Sequence, residues 1–197
     1  MALAHAIFAM ELCFPMDPSS PMHSSLVRLF RAHPQYCTAE EKWRFYERVR
    51  QILLFELDKA RSGCWDFFND DDRAKSDYDM WCNGMLTKEG ARSSPSGRPE
   101  GDPFRGATQV RFMTVTIAWL MIQGMPSTQS LAATCEIPEN ALWQRSSFRR
   151  ILERLGRVQF SAIKSDVFYV IPGDDAWGLT EQDLQASKFE YLRQIQG

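Results

Sequence analysis

Residues 107–171, ATQVRFMTVTIAWLMIQGMPSTQSLAATCEIPENALWQRSSFRRILERLGRVQFSAIKSDVFYVI, carry the reading on which the fold turns. The apolar run 112–122 lies between Arg111 and Gln123-Gly124. It is too short to span a membrane, and its length suits a buried core helix. The spacing predicts a helix over 108–123, stopped by Gly124-Met125-Pro126. Ser127 then caps a shorter helix over 128–135, and Glu136-Ile137-Pro138 makes a tight turn. Proline at the first helical position suits its fixed φ, so a third helix is expected from Pro138 to Leu155, with Gly156 as its stop. Residues 158–163 and 167–171 are rich in β-branched and aromatic side chains and flank Lys164-Ser165-Asp166, the pattern of a β-hairpin.

Three helices followed by a hairpin resemble the winged helix-turn-helix superfamily, over about a third of the chain. Residues 128–147 align with that family's helix-turn-helix core. Leu131 and Ala132 fall where it places an apolar and then a small residue, and Cys135, Ile137 and Leu142 fall at further core positions. Glu136 stands where the family's turn usually carries Gly, and Arg145 where a late apolar residue is usual. The resemblance implies that the third helix enters a major groove while the wing touches phosphates or the minor groove. Glu139, Asn140, Trp143, Gln144 and Ser147 are then the base-facing positions, with Asn140 and Gln144 suited to adenine edges. Arg149, Arg150 and Arg154, with Lys164 at the wing tip, supply the positive charge. The same face also suits a protein partner, with Trp143 as the aromatic anchor and Glu139 disfavouring phosphate.

Outward from this segment, residues 90–106 contain ten Gly, Pro or Ser among 17 and no apolar periodicity, which marks a linker or mobile loop. It separates a helical module, 1–89, from a winged-helix-like domain with a C-terminal helix, 107–197. In the first, Thr38-Ala39-Glu40-Glu41 is a capping box opening a long helix. Trp43, Tyr46, Val49, Leu53, Leu57, Ala60, Cys64 and Phe67 continue it at steps of three and four, with Gly63 as a possible break. A shorter helix is expected over 24–32, ending before His33-Pro34. The apolar stretch 2–10 is closed by Glu11, has no preceding Lys or Arg, and fits neither a signal peptide nor a membrane span. At the other end, Thr180 and Asp183 form the cap of a helix expected to run to the C-terminus. The fold class expected is therefore mainly α, with a homodimer contact through the N-terminal helices or the C-terminal helix.

The chain has 197 residues, 44% hydrophobic and 24% charged, with a net charge of -2. Disorder, collagen-like repeats and a polycationic coat are excluded. The charge is uneven: residues 107–172 sum to +3, while the flanks sum to -2 and -3. Five cysteines without CxxC or Cys/His clusters point to reduced thiols in a cytoplasmic protein. No Ser/His/Asp set, HExxH, P-loop or GxGxxG is present, so no catalytic residue, cofactor or metal is expected. The acidic patch 66–79 (Asp66, Asp70, Asp71, Asp72, Asp77, Asp79) lacks the Gly and Glu of a calcium loop and reads first as a solvated turn with helix caps. The expected function is a DNA-binding, transcription-regulator-like protein with duplex DNA as partner and no membrane. The alternatives are a protein-interaction adaptor without DNA binding and a metal-dependent enzyme using the 66–79 patch.

Overall fold

The apolar stretch that Glu11 closes in the sequence reading is the middle of a sheet. The computed structural model describes residues 4–17, 20–33, 37–90, 110–173 and 178–197, without the side chains of 85–90. Strand β1 (His5–Met16) pairs antiparallel with β2 (Ser62–Phe68) on one side and β3 (Arg111–Ile122) on the other. Beyond these lie β5 (Arg193–Gln194) and β4 (Ile163–Ile171), giving the order β4-β3-β1-β2-β5. The helices among the described residues are α1 (Met22–Ala32), α2 (Ala39–Glu56), α3 (Asp71–Gly90), α4 (Pro126–Cys135), α5 (Arg145–Leu155) and the single turn α6 (Glu181–Leu184). The architecture is mixed α/β, not mainly α. Residues 91–106 of the expected linker lie outside the described residues. The segments on either side of it contribute neighbouring strands to one sheet and side chains to one main core.

Four departures from the sequence reading have physical causes. First, residues 111–122 form a strand and not the first helix of a helical triad. Met113, Val115, Ile117 and Trp119 pack on one face, while Thr114, Thr116 and Ala118 fill the other. A strand buried on both faces reads as a continuous apolar run and imitates a core helix. Second, the long helix stops at Glu56. The chain turns through residues 57–61 and re-enters as β2, where Gly63 is needed: a Cβ there would stand 2.9 Å from the Glu11 carbonyl oxygen and 3.0 Å from Phe148. Third, no wing hairpin forms. Residues 160–162 make a 3₁₀ turn and 163–171 run as one strand on β3, with a register shift at Lys164 instead of a turn. Lys164-Ser165-Asp166 lacks the glycine of a tight hairpin turn. Fourth, the C-terminal helix lasts one turn. Its Thr180–Asp183 capping box forms as expected, but Phe189 and Ile195 are drawn into apolar clusters and β5 pairs with β2.

Signals read from local chemistry hold at Thr38 and at the end of α1, but not at Ser127. Helix α4 starts at Pro126 with Met125 as its N-cap, and the Ser127 hydroxyl caps nothing among the described residues. Thr38 caps α2, with Glu41 N–H donating to Thr38 Oγ1 at 3.2 Å and Thr38 N–H donating to Glu41 at 2.8 Å. Helix α1 ends at Ala32, with His33 as its extended C-cap ahead of Pro34 in the sequence. Helices α1, α2 and α5 cover one face of the sheet over Phe8, Met10, Leu12, Phe14, Ile117 and Trp119. Helix α3 and the C-terminal segment cover the other, where Ala74 and Tyr78 pack on Ile7, Ala9 and Leu120. No helix is long and apolar enough to cross a membrane, among the described residues.

Candidate functional site

The start of the expected recognition helix is spent on structure. Residues 139–141 form a 3₁₀ turn that leaves Glu139 and Asn140 exposed, and α5 begins only at Arg145. The gap between them is held by the C-terminus. Gln144 bridges Gln196, Arg145 N–H donates to the Gln196 carbonyl at 2.8 Å, and the Arg145 guanidinium donates to the carbonyls of Gly197, Leu57 and Ala60. An arginine in place of an apolar residue at 145 thus has a structural reason. Gln144 Nε2 donates to Gln196 Oε1 at 3.1 Å. Trp143 packs against the main core, and Ser147 is buried with its hydroxyl donating to the Ala141 carbonyl at 2.7 Å. Of the expected reading face, Glu139 and Asn140 are the exposed positions, while Trp143, Gln144 and Ser147 are engaged within the protein.

The basic positions fare differently. Leu131 of α4 packs with Phe148, Ile151 and Leu152 of α5, which closes the two helices against the core. On the outer side, Arg150, Arg154 and Arg157 sit at i, i+4 and i+7 and face Ser130 and Thr134 across a cleft of about 340 Å³. Arg150 donates to the Ala133 carbonyl at 3.3 Å, and Arg154 Nε donates to Thr134 Oγ1 at 3.1 Å. Thr134 in turn donates to the Ser130 carbonyl at 2.9 Å. Glu153 lines the same cleft and offsets part of its charge. Arg149 points elsewhere and pairs with Asp58 at 3.1 Å, while Lys164 is exposed on the edge strand β4. Arg157 is the member of this group that the sequence reading left out of its site. It follows Gly156 in the turn after α5, beyond the end of the expected helix.

A second site lies on the opposite face of the sheet, between β2, α3 and the C-terminal segment. This groove of about 540 Å³ has Phe68, Trp81 and Tyr191 among its walls and Asp66 and Asp77 as its acids. Trp81 and Tyr191 meet edge to face at 5.8 Å between centroids. Arg73 lies 4.3 Å over the Phe68 ring and 3.7 Å from Asp77. Asp66 is half-buried opposite the small Ala9. Burial first, and the nearby Asp77 second, hold its carboxyl above the usual range, against the Phe67 N–H and Arg73. Behind the groove, Glu11 is fully buried and accepts a 2.6 Å hydrogen bond from the Tyr191 hydroxyl.

The acidic patch therefore divides by role. Asp70 caps α3 by accepting from the N–H groups of Asp72 and Arg73. Asp71 accepts from both the backbone and the ring of His5, at 2.7 and 2.9 Å, which holds its carboxyl below the usual range. Asp72 and Asp79 are exposed, and Asp66 and Asp77 face the groove. No group of three or more His, Cys, Asp or Glu is placed to hold a metal ion, among the described residues. All five cysteines are free thiols, and burial pushes Cys13 and Cys135 up to about 12. The sequence reading noted the acids but missed the groove, because Tyr191 reaches it only through the loss of the C-terminal helix. Compared with known proteins, this chain matches no family model, no curated protein and no solved structure.

Proposed function

We propose that the protein binds nucleic acid through phosphate contacts made in the arginine cleft of α4 and α5. The observation that carries this reading is the convergence of Arg150, Arg154 and Arg157 with Ser130 and Thr134 around one polar cleft. A guanidinium presents its donors in a planar fork that matches phosphate oxygens, and hydroxyls complete such contacts. The contact is to the backbone rather than to base edges, because Gln144 and Ser147 are already hydrogen-bonded within the protein. Sequence preference is accordingly weak, and the net charge of -2 confines attraction to this side of the chain. Fluorescence anisotropy with labelled duplex DNA between about 50 and about 200 mM salt tests the reading. Replacing the three arginines by Ala together lowers the salt slope by about two to three. Absence of binding to the folded protein at ~50 mM salt overturns it.

A second reading, a protein-interaction adaptor without nucleic-acid binding, draws on a different surface. Phe55 is 82% exposed and borders a groove of about 440 Å³ between α1 and α2, with Leu29 and Ile52 lining it and Arg28 and Arg48 at its edges. This patch fits the homodimer contact expected of the N-terminal helices, with Phe55 of each copy seated in the other's groove. Sedimentation velocity would show a dimer that Phe55→Asp dissociates. A monomer at high protein concentration removes this reading.

A further inference from the structure

We propose that the groove beneath α3 is a binding site for a protonated amine carried on an aromatic or apolar body. Asp66 supplies the charge complement. It lines the groove, makes no ion pair among the described residues, and lies where burial penalises an uncompensated carboxylate. Asp77, the other acid, is already engaged by Arg73, whose guanidinium is parked over Phe68. An ammonium group entering beside Asp66 therefore meets the carboxylate that has no ion pair of its own among the described residues, Arg73 acting on it only from beyond ion-pair distance. The body of such a ligand meets Phe68, Trp81 and Tyr191, whose ring faces also attract cations. At about 540 Å³ the groove has the size of a small-molecule site, with mostly apolar walls and few converging polar groups. Arg73 and Lys188 also line the groove, but Arg73 is paired with Asp77 and Lys188 lies over the Phe189 ring. An anionic ligand of the same shape would therefore meet Asp66 and have to draw away a cation already engaged.

The mouth of the groove offers a clean way to close it. Gly84 lines it on α3, and a Cβ built there meets nothing within 4 Å. A larger residue at 84 fills the groove without backbone strain and improves helix propensity. The probes are 2-phenylethylamine, phenylacetate and 2-phenylethanol, titrated into the full chain and followed by amide chemical shifts of residues 66–84. The amine is expected to bind with a dissociation constant of about 1 mM, as suits a ligand so small, and more tightly than either other probe. Asp66→Asn weakens the amine about tenfold and leaves the alcohol unchanged. Gly84→Leu abolishes the binding of both, and thermal melts confirm that each variant is folded. Equal binding of phenylacetate, insensitivity of the amine to Asp66→Asn, or no shift with any probe at ~10 mM overturns the proposal.

Discussion

Toward α1, α2 and α5 the central strands present Phe8, Met10, Leu12 and Phe14 from β1 and Val115, Ile117 and Trp119 from β3. Toward α3 the same two strands present Ile7, Ala9, Glu11 and Cys13, and Thr114, Thr116 and Ala118. On the first of these faces the side chains of the two central strands are large, aromatic and without ionisable groups. The one carboxylate that β4 adds there, Asp166, is held by Lys42 and Tyr46 of α2. The other is built from smaller side chains around a buried carboxyl, and its covering layer leaves a groove. Because strand side chains alternate, one backbone carries both programmes without compromise. The difference teaches that the helical face supplies most of the cohesion and that the α3 face is where polar groups are placed for other work.

The largest expected effect breaks the helical face at its centre. Trp119 is 1% exposed and touches the rings of Phe8, Tyr46 and Phe160 at centroid distances of 5.8, 5.3 and 5.6 Å. Trp119→Ala is expected to cost about 3–5 kcal/mol in a denaturant titration, since no neighbour can collapse into so large a void. A cost of less than about 1.5 kcal/mol would show that cohesion is shared evenly between the faces.

On the α3 face the comparable probe is the hydrogen bond from Tyr191 to Glu11. Tyr191→Phe keeps the ring against Trp81 and removes the donor from a fully buried carboxyl. The expected loss is about 1–3 kcal/mol, smaller than that at Trp119 because the removed group is polar and no large cavity forms. It also frees the groove wall to move, so amide exchange should rise around β5 and residues 187–192 before it rises in β1.

What was legible in the sequence follows the range of the interactions. Local signals survive folding at most positions, Ser127 and Pro138 being the exceptions, since α4 has Met125 as its N-cap and α5 starts only at Arg145. The caps at Thr38 and Thr180 involve residues three apart, and α1 ends where the approaching proline requires. Strands were legible only in part, because a strand's partners are distant. Residues 167–171 read as a strand and lie within β4, whereas β1, β2 and β3 were not read as strands. β1 and β3 pair across about 110 residues, and nothing within 112–122 announces a partner at 5–16. The usable clue was the alternation of Thr114, Thr116 and Ala118 with Val115, Ile117 and Trp119, a period of two inside a run long enough for a helix. The site divides in the same way. Arg150 and Arg154 share a helix face by local spacing, so the sequence brought them together. The groove needs Asp66, Trp81 and Tyr191 from three separated segments, which only the tertiary fold supplies.

The smallest expected effect has the opposite sign and separates the faces most sharply. The Asp66 carboxyl is held above its ordinary value of 3.8, chiefly by burial and then by Asp77. The folded state therefore binds more protons than the unfolded state between the two values, and stability falls as pH rises through that window. The penalty stands in full at neutral pH. Asn carries no titrating group, so Asp66→Asn should raise the melting temperature slightly near pH 7, and the gain should vanish below the ordinary carboxylate value. The magnitude is modest because the side chain remains partly solvated. Thermal melts of parent and variant from about pH 3 to about pH 8 measure it. Loss of stability at pH 7 would make Asp66 a structural residue, as Trp119 is. A gain would mean that the fold carries an acid it is better without, and that the reason for it must be sought in what enters the groove.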